Sequence, residues 1–339
     1  KFNQNLNIII GNNAQGKTNI LESIYLLGIT RSFLTTNDKN LIKMGCNNCK
    51  VKASVLVMNR SKNLEVIISE IGKKVKIDNQ EINKLSNYIS NLNVIIFSPD
   101  NIRILSESPS FRRKYLNIEI SQIFNKYIVF LNDFNKVLKQ RNEYLKYIAN
   151  NSNYDKQYFD ILNKKYAELS VEVCLYRRRF INDINDNINS IYLKISGFNN
   201  LSMIYISNVD FYEDKEVMIN NFINKLESNL NRDLFYKMCL FGPHRDDFSL
   251  ELDKKNILLY GSQGQTRCAV LALKFSEISI FKKYLNTEPI LLLDDIFSEL
   301  DVNKKNLIVE FIPKDIQTIV TTTDLNLINK DILNNSDVY

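Results

Sequence analysis

The stretch Gly11-Asn-Asn-Ala-Gln-Gly-Lys-Thr18 has the Gly-x4-Gly-Lys-Thr pattern of a phosphate-binding loop. The apolar run at residues 6–10 predicts a strand before it, and apolar residues at helical spacing over residues 20–27 predict a helix after it. In that context, backbone N–H groups and the positive end of the helix dipole surround phosphate groups. The residues expected to bind a nucleoside triphosphate are therefore Gly11, Asn12, Asn13, Ala14, Gln15, Gly16, Lys17, Thr18 and Asn19.

A second decisive stretch, Ile290-Leu-Leu-Leu-Asp-Asp295, ends an apolar run in two carboxylates. The run predicts a buried parallel strand, and ligands of open α/β sheets bind at the carboxyl ends of such strands. We expect Thr18 and Asp294 to hold Mg²⁺, Asp294 through water, and Asp295 to orient or deprotonate the attacking water. Lys17, Asp294 and Asp295 are thus the candidate catalytic residues.

A glycine-rich turn at residues 260–267 precedes an apolar helical stretch at residues 269–280. A turn of this kind at a helix N-terminus predicts a second anion site, which we call the signature segment. Since the first loop already covers one phosphate face, the second site most economically serves a nucleotide bound to another subunit. The residues assigned to it are Ser262, Gln263, Gly264 and Gln265.

Two further segments lie downstream of the paired carboxylates. Ser298-Glu-Leu-Asp301 follows by one turn, and Asp301 is expected to touch a partner subunit across the nucleotide. Residues 318–323 predict a final strand with a polar tip. For this tip, a purely structural role and a functional role are equally supported by the sequence.

The organisation of the chain follows from changes in hydrophobic period. Short apolar segments at residues 51–58, 64–69, 75–77 and 94–97 predict an antiparallel meander after the first helix. Residues 110–196 contain neither Pro nor Gly and carry apolar stripes at helical spacing, interrupted by the polar residues 150–153. They predict two helices of about 40 residues each, about 60 Å long, forming an inserted antiparallel arm, or alternatively a plain helical subdomain. The predicted segments are 1–105, 106–230 and 231–339.

Composition is that of an ordinary globular protein, with 45% hydrophobic and 24% charged residues. The net charge of +6 and the clusters at residues 112–114 and 177–179 suit a nucleic-acid partner, although each cluster also suits a solvated helix face. Arg112 and Arg113 are the residues we expect near DNA. No apolar run reaches the 18 or so residues needed to cross a bilayer, so we predict no membrane association.

Five scattered cysteines predict reduced thiols and a cytoplasmic location rather than a disulfide scaffold. Cys46 and Cys49 form a lone C-x2-C pair, which we interpret as a loop, with a structural zinc site as the less favoured alternative. The chain begins at Lys1 directly before a predicted strand, so we expect a preceding strand to be missing.

The combination of motifs resembles the ATP-binding-cassette (ABC) ATPases and, more narrowly, the RecF family of bacterial recombination mediators. The segments that carry the resemblance run in family order over nearly the whole chain. They are residues 10–24, Arg31-Ser-Phe33, Phe97-Ser-Pro-Asp100, Ser108-Pro-Ser-Phe-Arg-Arg113, Gly242-Pro-His-Arg-Asp-Asp247, Gly261-Ser-Gln-Gly-Gln265 and Leu292-Leu-Asp-Asp-Ile-Phe-Ser-Glu-Leu-Asp301.

The resemblance implies an α/β fold, an ABC-type P-loop ATPase head split in sequence, with an inserted antiparallel helical coiled-coil arm. It implies ATP and Mg²⁺ as cofactors and an ATP-dependent homodimer in which one subunit's signature closes over the other's ATP. It also implies binding to duplex DNA and to single-strand/double-strand junctions at gaps. The implied partners are RecO and RecR and, indirectly, the RecA recombinase.

Two departures and two rivals qualify this interpretation. The switch His of transporter cassettes has no counterpart, because the only His is His244. Asp295 stands where transporters have Glu, so we expect slow hydrolysis that acts as a timer on the dimer. An SMC-like structural DNA clamp is the alternative function, although such clamps need arms of hundreds of residues. A DNA-binding module with an inactive ATP site is the other alternative function. The presence of Lys17, Thr18 and Asp294 argues against it.

Overall fold

The computed structural model describes residues 1–57, 60–151, 153–285, 287–296, 311–324 and 336–339. Its strands are β1 (Leu6–Ile10), β2 (Asn48–Val57), β3 (Arg60–Ser69), β4 (Gly72–Ile77), β5 (Gln80–Glu81), β6 (Val94–Phe97), β7 (Leu201–Ile206), β8 (Asp247–Leu252), β9 (Lys255–Asn256), β10 (Ile290–Asp294), β11 (Thr318–Thr322) and β12 (Ser336–Val338).

Its helices are α1 (Lys17–Ile29), α2 (Leu85–Tyr88), α3 (Arg103–Ser106), α4 (Pro109–Ile123), α5 (Asn125–Ile148), α6 (Lys156–Asn185), α7 (Ile188–Ser196), α8 (Lys215–Ser228), α9 (Leu230–Tyr236), α10 (Ile257–Tyr260) and α11 (Gln263–Leu285). Short 3₁₀ turns lie at Asp38–Leu41, Pro99–Ile102 and Pro243–Arg245. No helix of this part of the chain combines the length and the hydropathy that crossing a bilayer requires.

A parallel sheet of order β12-β1-β11-β10-β6 organises the head. Strands from the N-terminal and C-terminal parts of the sequence are neighbours in it, since β1 pairs with β11 and β6 pairs with β10. The head is therefore split in sequence, as predicted. Because all five strands are parallel, the residues that follow β1, β10 and β11 emerge at the same edge of the sheet.

Side-chain alternation gives this sheet two buried faces. One face packs against α1 and the antiparallel sheet β2-β3-β4-β5, through Ile9, Val94, Ile96, Leu292 and Ile319. The other packs against α11 and the helical lobe, through Ile8, Ile95, Phe97, Leu291, Leu293 and Val320. Burial on both sides explains why these strands are continuous apolar runs in the sequence.

The inserted helices are shorter than the sequence predicts. In place of the two expected helices of about 40 residues, the structure has four helices, α4 to α7, of 15, 24, 30 and 9 residues. The chain breaks at Phe124, whose φ of −121° and ψ of 95° are extended, and again at Asn187. Phe124 packs between the rings of Tyr176 and Tyr284, 5.3 and 4.8 Å away. A tertiary contact thus ends the helix where neither Gly nor Pro marks the position.

Helices α5 and α6 form the arm, about 36 and 45 Å long at 1.5 Å per residue. They run antiparallel, because ring contacts join positions that move in opposite directions along the two helices. These contacts pair Tyr127 with Tyr176, Phe134 with Tyr166, and Tyr144 with Tyr158. Helices α8 and α9 pack against this pair, so the arm is the core of a helical lobe.

The segment Gly242–Asp247 joins this lobe to the antiparallel sheet β7-β8-β9. The buried Asp246 carboxylate accepts hydrogen bonds from Arg177 Nη1 at 3.2 Å and Tyr205 Oη at 2.5 Å. Arg177 also donates to the Pro243 carbonyl at 2.7 Å. The prediction that Arg177 lies on a solvated or DNA-facing surface is therefore wrong, because a buried carboxylate and carbonyl hold its guanidinium in the core.

Arg112 and Arg113 belong to the same junction. The Arg112 guanidinium makes a bidentate pair with Asp247, with N–O distances of 2.6 and 2.8 Å. Arg113 donates to the Asp246 carbonyl at 2.9 Å. Arg112 thus joins α4 to β8 with the bidentate geometry that suits a planar guanidinium, and Arg113 joins α4 to the residue just before β8. The expectation that these two arginines lie near DNA stays a prediction.

Candidate nucleotide-binding site

The loop between β1 and α1 takes a conformation that ordinary side chains rarely allow. Ala14 has φ of 66° and Gly16 has φ of 89°, both in the left-handed region. Gly16 stands at the N-cap of α1 and offers no side chain to the free N–H groups of the first turn. These N–H groups therefore remain available to an anion at the positive end of the helix.

Lys17 lies folded over the loop that precedes it. Its Nζ donates to the carbonyls of Gly11 at 2.6 Å and Asn12 at 2.9 Å. Gln15 Oε1 accepts from the Asn12 N–H at 2.8 Å, so the loop is tied together by its own polar groups. The ammonium is thus held at the loop, where a phosphate oxygen can take the place of the carbonyls as its partner.

Thr18 and Asp294 come together from opposite ends of the sequence. Thr18 Oγ1 lies 3.0 Å from Asp294 Oδ1, at the carboxyl edge of the parallel sheet. A hydroxyl and a carboxylate are the hard oxygen donors that Mg²⁺ selects, and Mg²⁺ usually binds one or two such groups together with phosphates and water. These two residues therefore fit Mg²⁺ in their chemistry and in their placement beside the phosphate loop.

Asp295 follows directly, in the left-handed region with φ of 46°. Its backbone N–H donates to Thr321 Oγ1 at 3.0 Å, and the same hydroxyl lies 2.8 Å from Asp294 Oδ1. Thr321 was not among the predicted site residues. The feature of the sequence that could have pointed to Thr321 was the polar tip of residues 318–323. The sequence alone did not decide between a structural and a functional role for this tip.

The signature segment forms a capping box at the start of α11. Ser262 Oγ accepts from the Gln265 N–H at 3.2 Å, and Gln265 Oε1 accepts from the Ser262 N–H at 2.8 Å. Ser262, Gln263 and Gly264 are exposed, whereas most of α11 is buried. Among the described residues, a Cβ on Gly264 would meet only Ser262 Oγ, at 4.0 Å, so contacts within this part of the chain do not require glycine there.

The remaining predicted residues have different outcomes. Asp301 lies outside the described residues. Cys49 is the second residue of β2, so the interpretation of the Cys46–Cys49 segment as a loop holds only for its first part. His244 is half-buried, and its Nε2 lies 2.9 Å from the Cys239 carbonyl. Burial lowers the pKa of this imidazole to about 4, so it is neutral near pH 7.

Known proteins resemble the chain over almost its whole length. The family model described as the RecF/RecN/SMC N terminal domain matches residues 1–337. The DNA replication and repair protein RecF of Staphylococcus haemolyticus is 35% identical over 98% of this chain and 91% of its own length. The RecF protein of Streptococcus agalactiae serotype Ia is 39% identical over 96% of this chain and 87% of its own. The chain belongs to the RecF family.

Solved structures agree with this assignment to RecF. A structure described as the recombination mediator protein RecF-ATP in the RecFOR pathway has a TM-score of 0.89 at 32% identity, covering 96% of this chain and 87% of that one. An SMC head domain bound to a winged-helix domain of ScpA has a TM-score of 0.50 at 15% identity, which shows a shared fold alone. The predicted RecF resemblance and ABC-type head are thus confirmed.

Proposed function

We propose that this RecF-family chain is an ATP-dependent DNA-binding protein of recombinational repair and replication-fork maintenance. The observation that carries the proposal is the convergence of Lys17, Thr18 and Asp294 at one edge of the sheet, beside the N-terminus of α1, which has no side-chain cap from Gly16. ATP is the ligand described for the RecF structure that this chain resembles. In the proposal, residues 11–19 hold its phosphates.

The proposed chemistry needs positioning and charge neutralisation rather than covalent catalysis. Lys17 turns from the loop carbonyls to the phosphates, and Thr18 and Asp294 hold Mg²⁺. The bound metal ion would neutralise the charge that develops on the phosphate oxygens. Asp295 orients the attacking water. Since its carboxylate is one methylene shorter than a glutamate's, we expect slow hydrolysis that resets the protein between states.

The proposed active species is an ATP-driven homodimer. Ser262, Gln263 and Gly264 stand exposed at the N-terminus of a helix whose remaining length is largely buried. Such a terminus attracts the γ-phosphate of a nucleotide held by a second subunit. The absence of a side chain at Gly264 lets that nucleotide approach the backbone closely. Asp301 is proposed to lie across the same interface.

The proposed nucleic-acid partners are duplex DNA and single-strand/double-strand junctions at gaps, bound without sequence preference. A net charge of +6 favours phosphate contacts. The related structure is that of a RecF protein of the RecFOR pathway, which supports RecO and RecR as partners and, through them, assistance to RecA loading. The proposed location is the cytoplasm. An SMC-like clamp is less favoured, because the arm helices have only 24 and 30 residues.

Light scattering of the purified protein tests the composite site. We expect a monomer without nucleotide or with ADP, and a dimer with ATP and Mg²⁺. Ser262→Arg should abolish the dimer by placing a bulky side chain where the second subunit's nucleotide approaches. Ser228→Arg is the matched control, because Ser228 is also an exposed serine but lies at the end of α8, in the helical lobe.

A monomer under every condition would contradict the ATP-driven dimer. A dimer that Ser262→Arg leaves intact would show that the signature segment does not take part in assembly. Because Ser262→Arg also alters the first turn of α11, circular dichroism of each variant should accompany the measurement.

A further inference from the structure

Thr321 is the fourth residue of β11, and its side chain is fully buried. Its hydroxyl contacts both consecutive acids of the proposed site. It donates to Asp294 Oδ1 at 2.8 Å and accepts from the Asp295 backbone N–H at 3.0 Å. One side chain therefore fixes the carboxylate of the first acid and the backbone of the second.

The register of the sheet places this hydroxyl. Thr321 is the ladder partner of Asp294 in the parallel pair β10–β11. Partners in a ladder direct their side chains to the same face, so the two side chains lie next to each other. A shift of one residue would bring Val320 or Thr322 to this position and turn the side chains to the opposite face.

The contact with Asp295 has a specific structural consequence. A non-glycine residue with φ of 46° is energetically unfavourable and persists only when its surroundings fix it. The Thr321 hydroxyl supplies a hydrogen-bond acceptor for the N–H of this residue, immediately after β10 ends. The bond stabilises the turn that sets the direction of the Asp295 side chain.

We propose that Thr321 is a positioning residue for both acids: its hydroxyl holds the Asp294 carboxylate beside Thr18 and fixes the backbone turn at Asp295. The inference rests on the nucleotide site proposed above. Thr18 Oγ1 and Thr321 Oγ1 both bind the same oxygen, Asp294 Oδ1. With Mg²⁺ bound, Thr18 and Asp294 would hold the ion, and the hydrogen bond from Thr321 would keep the Asp294 carboxylate in place. Hydrogen-bond partners of metal-binding carboxylates commonly contribute 10–100-fold to metal affinity.

Three variants distinguish the effect of the Thr321 hydroxyl from the effect of the side chain's shape. Thr321→Val removes the hydroxyl at nearly constant volume, and Thr321→Ser retains it. Thr318→Val is the matched control, because Thr318 is also a buried threonine and lies at the start of the same strand. Its hydroxyl donates to the Ile316 carbonyl and not to the site. Binding of a fluorescent, non-hydrolysable ATP analogue is measured in a Mg²⁺ titration, with the half-saturating Mg²⁺ concentration as the readout.

We expect Thr321→Val to raise the half-saturating Mg²⁺ concentration about 10-fold or more. Thr321→Ser should stay within about 3-fold of the wild type, and Thr318→Val should match it. Binding without Mg²⁺ should be equal in all four proteins, because the phosphate loop does not depend on Thr321. If Thr321→Val does not fold, Thr321→Ala replaces it in the same comparison with Thr321→Ser.

The outcomes distinguish this inference from the proposed function. A wild type that binds no nucleotide overturns the proposed function and this inference together. If the wild type binds the analogue in a Mg²⁺-dependent way and Thr321→Val has the same half-saturating Mg²⁺ concentration, the role of Thr321 alone is overturned. Equal weakening by Thr321→Val and Thr318→Val would indicate loss of strand stability and would also overturn that role.

Discussion

Thr18 Oγ1 donates a hydrogen bond to Asp294 Oδ1 at 3.0 Å, although 276 residues separate the two positions in the chain. The contact exists because β1 and β10 both flank β11 in one parallel sheet. The helical lobe lies between them in sequence.

Substitution of Lys17 by Met should weaken ATP binding about 100-fold or more, because the charge-assisted contacts to the phosphates are lost. The fold should persist, since the hydrogen bonds of the Lys17 ammonium to the described residues are made to two loop carbonyls, both in the phosphate loop itself. Isothermal titration of ATP measures the change. Lys39→Met, at an exposed lysine in a 3₁₀ turn, is the control and should bind as the wild type does. Equal affinities of the Lys17 variant and the wild type would contradict the assignment.

Substitution of Asp295 by Asn should lower the rate of ATP hydrolysis by about 100-fold, as expected when a positioned base is removed. Nucleotide affinity should change little, because Thr18 and Asp294 are retained. The ATP-bound dimer should consequently outlast that of the wild type in time-resolved light scattering. Undiminished hydrolysis would show that another group orients the water. A wild-type turnover near 100 per second, on the order of the fastest kinases, would contradict the timer role itself.

Substitution of Arg177 by Met should destabilise the protein by about 3–5 kcal/mol, because it leaves the buried Asp246 carboxylate without its cationic partner. Urea unfolding measures the loss. Arg178→Met changes the next residue on α6, which is exposed and lies 4.6 Å over the Phe211 ring. Its cost should stay near 1 kcal/mol or below. Similar losses for both variants would contradict the importance of the buried pair.

The contribution of Glu277 to stability should fall as pH rises from about 4.5 to about 8. Burial, with the neighbouring Glu119, raises the pKa of Glu277 from its ordinary 4.5 to about 8, although Lys274 opposes the shift. The folded state thus keeps a proton that the unfolded state releases within this window. The contribution is fully present below pH 4.5 and is lost as pH rises through 8, with a slope of at most about 1.4 kcal/mol per pH unit.

Glu277→Gln removes this titration and leaves the other titrating groups in place, so a comparison with the wild type isolates the contribution of Glu277. The difference in unfolding free energy between the wild type and the variant, from urea melts at pH 5 to 9, should change up to pH 8 and then level off. A constant difference across the window would show that Glu277 stays ionised, with Lys274 at 2.6 Å as its compensating charge.

DNA affinity should depend strongly on salt and little on base sequence. Contacts to phosphates release counterions, so log affinity should fall linearly with log salt concentration between 50 and 200 mM, by roughly 10³-fold if about six phosphates are bound. Fluorescence anisotropy with two duplexes of unrelated sequence measures both dependences. A nearly flat plot, or a large preference for one duplex, would contradict phosphate-dominated binding.

The sequence by itself determined the local elements of the site. The phosphate loop, its strand and its helix are contiguous, and the pattern of apolar residues ending in Asp294 and Asp295 marks β10. The capping relation between Ser262 and Gln265 is also local, because its donors and acceptors lie within four consecutive residues. Motif order was sufficient to predict the RecF resemblance and the split head.

Only the tertiary structure decided the features that depend on distant partners. Arg177 has the local sequence of an exposed basic cluster, yet it is buried because it pairs with the buried carboxylate of Asp246, 69 residues further along the chain. Phe124 ends a helix because its ring packs against the rings of Tyr176 and Tyr284. Thr321 reaches Asp294 through the register of two parallel strands. Composition and periodicity report the preferences of neighbouring residues, whereas burial, helix ends and strand register are set by contacts between segments far apart in the chain.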